Sequence, residues 1–242
     1  MIFGIRAVIE AIDAGKELDN IFIRREMGGD LMKELYEKLE GLEAAVKRVP
    51  LEKLNRFTRK NHQGVVAFMS SIEYQNLDAI IPQVYEEGRV PFFVILDGVT
   101  DVRNFGAIAR SCECAGVDAL IVPIRGAAAA NADAIKTSAG ALHLLPVCRV
   151  NSLHSTVSYL QKCGMKVIAA SEKATQNYTE AKYTGPLALI LGSEDLGVSP
   201  DILRIVNETV SIPIKGKIES LNVSVAAGVM IYEALNQRSK EF

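Results

Sequence analysis

Hydrophobic positions near the start of the chain line one face of a helix. Ile5, Val8, Ile9 and Ile12 fall at i, i+3, i+4 and i+7, and Gly15 lies just beyond as a stop signal. A short strand over 20–24 follows, Gly28 and Gly29 make a flexible turn, and 31–39 is strongly helical. The run Gly-Val-Val-Ala-Phe-Met at 64–69 predicts a buried strand. Between Ile72 and Arg89 the pattern breaks. Glu73, Asp78, Glu86 and Glu87 outnumber Arg89, and Pro82, Gly88 and Pro91 interrupt. This predicts a first domain over 1–72, a linker over 73–90 and a second domain over 91–242.

From Pro91 onward strands and helices alternate. Residues 92–96 form a continuous apolar run, which suits a strand covered on both faces. A helix over about 105–115 ends at Gly116, and further strands are predicted at 119–122, 145–150, 166–170, 187–191 and 211–214. Ser199 and Pro200 open a helix with a hydroxyl cap and a proline at its first position. Such alternation predicts an α/β fold with a mostly parallel sheet and helices on both faces. The last helix, about 222–238, carries Leu221, Val223, Val225, Val229, Met230, Ile231 and Leu235 with little polar face before Glu233. A helix apolar all round must be buried all round, against a partner subunit or a folded-back chain.

Composition narrows the function classes. Arg6, Glu10 and Asp13 interrupt the early apolar residues, so no signal peptide is expected, and no apolar run reaches the roughly 20 residues of a membrane helix. Cys112, Cys114, Cys148 and Cys163 lack metal-ligand spacing, so no metal site is expected and a reducing cytoplasm is the plainer setting. His62, His143 and His154 are scattered. A net charge of −2 argues against bulk electrostatic capture of nucleic acid, so if a nucleic acid is the partner the positive charge must be local. The stretch 47–61 supplies it: Lys47, Arg48, Lys53, Arg56, Arg59 and Lys60 stand against Glu52 alone. A solvated surface face explains such a run equally well.

Ligands of open α/β sheets gather outside the carboxyl ends of the strands, and three polar clusters occupy such places. They run from Asp97 to Arg110, from Gly192 to Gly197, and from Lys215 to Ser224. The dinucleotide fingerprint GxGxxG, the phosphate loop, the GxSxG elbow and HExxH are all absent. Read singly, Asn104 is a helix cap, Arg110 a surface arginine pointing away from its own core, Glu194 a turn brace, and Ser220 with Asn222 caps of the last helix.

Taken together and in order, the clusters resemble the three motifs of the SpoU (TrmH) family of RNA ribose methyltransferases, within the SPOUT superfamily. Asn104-Phe-Gly-Ala-Ile-Ala-Arg110 is similar to the first motif, and Leu189-Ile-Leu-Gly192-Ser-Glu194-Asp-Leu-Gly197 to the second. Ile212-Pro-Ile, continued by Ser220-Leu-Asn222-Val-Ser-Val-Ala, is similar to the third. Phe3-Gly-Ile-Arg-Ala-Val and Asn61-His-Gln-Gly64 resemble a small ribosomal-protein-like substrate-binding domain that precedes the catalytic domain in some members. Val102 stands where the family often has proline.

The resemblance implies a C-terminal trefoil knot, a homodimer, no metal, and methyl transfer from S-adenosylmethionine to a ribose 2′-hydroxyl. The closest members act on a guanosine of large-subunit rRNA. It implies catalytic roles for Asn104, Arg110, Glu194, Ser220 and Asn222, and donor contacts, mainly through backbone, at Gly192, Ile212 and Leu221. RNA would be gripped by Lys47, Arg48, Arg56, Arg59 and Lys60. Two alternatives stay open: the same reaction on tRNA or at an antibiotic-binding rRNA site, and a catalytically silent ribosome-assembly factor of the same fold.

Overall fold

The apolar run at 92–97 becomes the central strand of a six-stranded parallel sheet in the computed structural model, which describes residues 1–240. Contacts divide the chain into two units, Met1–Glu73 and the part from Tyr74 onward. In the first unit the elements are β1 (Ile2–Phe3), α1 (Ile5–Asp13), β2 (Leu18–Arg24), α2 (Asp30–Leu39), β3 (Ala45–Val49), α3 (Leu51–Phe57) and β4 (Val65–Met69). The sheet order is β1-β4-β2-β3, with β2–β3 parallel and the other pairs antiparallel. Alternation along β2 and β4 places Ile21, Ile23, Val65 and Ala67 on one face, packed with Val8, Ile9, Met32 and Leu35 of α1 and α2. Phe22 and Val66 lie on the other face with Leu54 of α3, where Phe22, Phe57 and Phe68 pack ring against ring.

The second unit contains α4 (Leu77–Glu86), β5 (Phe92–Asp97), α5 (Val102–Cys114), β6 (Ala119–Pro123), α6 (Ala132–Thr137), β7 (Val147–Val150), α7 (Leu153–Lys162), β8 (Lys166–Ala170), β9 (Leu187–Gly192), α8 (Pro200–Leu203), β10 (Glu208–Val210) and α9 (Val223–Arg238). The strand order β10-β8-β9-β5-β6-β7 puts β9 and β5 side by side, with Asp97 opposite Gly192 at their carboxyl ends. Phe93, Ile95, Ile121, Val167 and Ile190 form a core with residues of α4, α7 and α8 on one face. The alternate residues Val94, Leu96, Leu120 and Leu189 are buried on the opposite face, where α5 and α9 pack against each other. The alternation read along the chain is thus a doubly covered parallel sheet. Among the described residues no helix is long and apolar enough to cross a membrane.

Three expectations are corrected. The stretch 73–90 is not a bare linker: α4 fills most of it, capped by the Asn76 side chain accepting from Asp78 N at 2.9 Å. Leu77, Ile80, Ile81 and Val84 bury on the sheet, and that burial outweighs the ladder hydrogen bond lost at Pro82. The last strand is Glu208–Val210, not 211–214, because Pro213 cannot donate to a ladder and only Ser211 is bridged, to Asn177. Finally, of the two expected ways of burying α9, a folded-back chain does not cover it all round, since Val225 and Tyr232 are about half exposed (52% and 50%), and burial against a partner subunit stays an expectation.

Candidate active site

The site is built by three loops at the carboxyl ends of β5, β9 and β10. The first starts α5. Asp101 caps it, its Oδ1 accepting from the N–H groups of Arg103 and Asn104, each at 2.8 Å. The cap is therefore Asp101 and not Asn104, which leaves the Asn104 side chain free for other work. Val102 is the first residue of the helix, a position that suits proline but does not require it once the cap is made.

The second loop is folded tightly on itself. A Cβ added at Gly192 would stand 1.9 Å from the carbonyl carbon of Gly197 and 2.1 Å from Val198 N. Gly197 has φ +67° and donates its N–H to Ser193 O at 2.8 Å. No side chain fits at Gly192, and the turn at Gly197 suits glycine. Asp97 fastens the far end: its Oδ2 accepts from Ser199 N at 2.7 Å and Ser199 Oγ at 2.5 Å. Asp97 was only part of a polar cluster in the sequence. The one local signal was an acid ending a buried strand, and its partner 102 positions away was not legible.

The third loop enters α9 through Asn222, whose Oδ1 caps the helix by accepting from Ser224 N at 2.9 Å. Its Nδ2 donates to Asn104 Oδ1 at 3.0 Å and to Glu194 Oε1. The same Glu194 oxygen accepts from Asn104 Nδ2 at 3.2 Å and from Val223 N at 3.3 Å. One carboxylate oxygen thus gathers one residue from each loop. Three donors from the two neighbouring loops converge on that one oxygen, an arrangement that fixes the position of the loops relative to each other.

Beside this cluster lies a cleft of about 410 Å³ whose lining includes Gly192, Glu194, Ile212, Ser220 and Leu221. Apolar residues such as Ile212 and Leu221 share its wall with polar and charged ones such as Glu172 and Lys173, and the volume suits a small organic ligand. Ser220 lines the cleft, exposed, with no hydrogen bond of its own side chain to the protein. Arg110 is not brought to the cluster. It lies exposed on α5, six positions beyond Asn104, which amounts to roughly 9 Å along the axis and about 240° around it. Cys112, two positions on, offers no thiolate, because burial pushes its pKa far above the ordinary thiol range. Among the described residues no group of three or more His, Cys, Asp or Glu could hold a metal ion.

In the first unit the basic stretch divides between the two faces of its sheet. Lys47 and Arg48 are neighbours on β3 and point oppositely. The Lys47 and Lys53 ammonium groups lie 5.7 and 5.6 Å from the centre of the Phe22 ring, on the α3 face. Arg48 instead lies over Tyr36 of α2, 5.4 Å from the ring centre. Arg56, Arg59 and Lys60 are exposed on and just after α3.

Comparison with known proteins agrees with this architecture. Residues 91–232 match the family described as SpoU rRNA Methylase, and residues 1–75 match the domain described as RNA 2′-O ribose methyltransferase substrate binding. The 23S rRNA (guanosine-2′-O-)-methyltransferase RlmB of Photobacterium profundum is 34% identical over 244 positions, covering 98% of each chain. The crystal structure of the SpoU methyltransferase AviRb from Streptomyces viridochromogenes, in complex with the cofactor AdoMet, is similar with a TM-score of 0.62 and 26% identity, over 99% of this chain and 90% of that one. The A. aeolicus TrmH/SpoU tRNA modifying enzyme is similar with a TM-score of 0.59 and 30% identity, over 68% of this chain and 85% of that one.

Proposed function

The chain belongs to the SpoU rRNA methylase family, and from that premise we propose that it transfers a methyl group from S-adenosylmethionine to the ribose 2′-hydroxyl of a guanosine in large-subunit rRNA. The observation that carries the reading is the junction of Asn104, Glu194 and Asn222 beside a cleft lined by Gly192, Ile212 and Leu221. Similarity to RlmB along nearly the whole chain supports the guanosine and the large-subunit RNA, and the AdoMet complex of AviRb supports the donor.

The cleft fits such a donor. Its lining includes Gly192, where no side chain fits, the apolar Ile212 and Leu221, and the hydroxyl-bearing Ser220. The bound donor supplies an electrophilic methyl group on a sulfonium sulfur. Asn104 and Asn222, locked through Glu194, would hold the ribose beside that methyl so that reaction becomes effectively intramolecular: the C–O bond forms as the C–S bond breaks, S-adenosylhomocysteine leaves, and the hydroxyl proton passes to water at this exposed site. Arg110 would orient the attacking hydroxyl and the adjacent phosphate. A guanidinium is a planar fork of donors that pairs with hydroxyl and phosphate oxygens, so orientation suits it.

Because Arg110 stands away from the cluster of its own chain, the reading includes a homodimer in which α5 of one protomer serves the cleft of its partner. The half-exposed Val225 and Tyr232 on α9, together with Leu196 at 87% exposure, support burial between subunits. A C-terminal knot threading the segment that carries Ile212 to Asn222 belongs to the same reading.

The first unit would grip RNA through Lys47, Arg48, Arg56, Arg59 and Lys60, with Lys53 added from its place beside Lys47. Incubating the intact chain with labelled donor and unmodified rRNA, then digesting to nucleosides, should yield 2′-O-methylguanosine. Label in tRNA alone, or on a base, would reject the proposed product. In the same assay, replacing Arg56, Arg59 and Lys60 with alanine should weaken RNA binding and lower the slope of log affinity against log salt by about two to three, with donor affinity unchanged. Unaltered RNA affinity would remove this cluster from the account.

A further inference from the structure

A second cleft, of about 520 Å³, lies between the start of α5 and α6 and has no part in the donor site described above. Its lining includes Thr100, Asp101, Arg103, Asp133, Lys136 and Thr137. The walls are fixed. Asp101 Oδ1 holds the first turn of α5, as above, and Asn131 Oδ1 holds that of α6 by accepting from Asp133 N at 3.0 Å and Ala134 N at 3.1 Å. The helices touch directly at Gly106, where an added Cβ would stand 2.7 Å from Ala134 O and 2.8 Å from Thr137 Cβ. The chemically active groups are meanwhile uncommitted. Among the described residues, Arg103, Asp133 and Lys136 are in no ion pair, and the Asp133 carboxylate accepts no hydrogen bond from the protein.

The lining carries both signs of charge, and that selects among ligands. A site for bare phosphate gains nothing from two carboxylates, and a cation site gains nothing from a guanidinium and an ammonium. A guanine nucleotide uses both. Its base presents two adjacent donors, N1–H and the 2-amino group, to a carboxylate that accepts at two oxygens, while its phosphate pairs with Arg and Lys. Arg103 directly precedes Asn104, so one wall of the cleft and the residue that joins the three loops share the first turn of α5.

We propose that this cleft reads the base of the methylated guanosine, with Asp133 accepting from N1–H and the 2-amino group while Arg103 and Lys136 hold the adjoining phosphate. This rests on the reading of the chain as a guanosine ribose methyltransferase and names the residues that select its base. Specificity of this kind falls on a polar group that loses its partner when the wrong base is present.

The test uses the intact chain and an rRNA fragment spanning the site mapped by nucleoside analysis, made with guanosine or with inosine, which lacks the 2-amino group. Single-turnover rates are measured for wild type, Asp133→Asn and the double variant Arg103→Ala/Lys136→Ala. Wild type should lose about tenfold on inosine, and Asp133→Asn should lose much less than that between the two RNAs. The double variant should bind RNA more weakly with a shallower salt dependence. All three proteins should bind S-adenosylhomocysteine within twofold of one another, which a misfolded domain would not do.

An equal inosine effect in wild type and Asp133→Asn overturns the assignment of this cleft while the reading of the enzyme stands. Absence of 2′-O-methylguanosine from the wild-type reaction overturns that reading, and the assignment with it.

Discussion

Replacing Gly192 with alanine is expected to weaken donor binding about a hundredfold and to destabilise the second unit more than any other single methyl addition at the site. The new Cβ would fall 1.9 Å from Gly197 C, 2.1 Å from Val198 N and 2.2 Å from Gly197 O. All three are backbone atoms, so no rotamer change relieves the overlap. The loop must open, and opening breaks the Gly197 N to Ser193 O bond and strains the anchor from Asp97 to Ser199. Overpacking of this severity costs about 3 kcal/mol. A loss of that size lowers the melting midpoint by roughly 5 to 10 °C for a chain of this length, and the same free energy lost from the donor cleft weakens binding about a hundredfold. Differential scanning fluorimetry and calorimetric titration with S-adenosylhomocysteine read the two effects separately. Gly28, which has nothing within 4 Å of an added Cβ and no positive φ, serves as the control, and alanine there should leave both values close to wild type.

Glu194→Ala should act differently, with a modest stability change and a large loss of rate. The substitution removes the acceptor shared by Asn104 Nδ2, Asn222 Nδ2 and Val223 N. The two asparagines are partly exposed, so water replaces much of what is lost and the stability cost stays near 1 kcal/mol. Register suffers more. Asn104 and Asn222 are 118 residues apart in sequence, and after Glu194 is removed only the bond from Asn222 Nδ2 to Asn104 Oδ1 spans them directly. Misplacement by about 1 Å at such a site lowers the rate on the order of a hundredfold. Single-turnover methyl transfer should fall by that factor in Glu194→Ala, with donor affinity changed far less. Glu194→Gln keeps an acceptor oxygen and should recover most of the loss. Full rate in the alanine variant would reduce Glu194 to a brace between loops that the chemistry does not need.

How far the sequence carries follows from the range of each interaction. The strands buried on both faces were legible because 92–96 and 187–191 are unbroken apolar runs, which only a doubly covered sheet demands. The helix α1 was legible from its stripe. By contrast α4 was hidden because Pro82 and a crowd of acidic residues mask Leu77, Ile80, Ile81 and Val84. The strand β3 was hidden because Lys47 and Arg48 sit at its centre and read as a solvated run. The start of α5 was misplaced by three residues, since Asn104 and Asp101 are both good caps and local propensity cannot choose between them.

The site was legible only as a set of motifs. Nothing near Glu194 in sequence announces that its oxygen meets Asn104, 90 positions earlier, or Asn222, 28 later. The pairing of Asp97 with Ser199 and the cleft between α5 and α6 carried no motif and emerged from the coordinates alone.

The account stands on one cavity, assembled where β5, β9 and β10 end, that takes a methyl donor. Its most direct measurement is equilibrium titration of the intact wild-type protein with S-adenosylhomocysteine, run beside Gly192→Ala. The account predicts saturable binding of one molecule per chain in wild type and binding weakened about a hundredfold in the variant. No binding by wild type, or equal binding by both proteins, would contradict it.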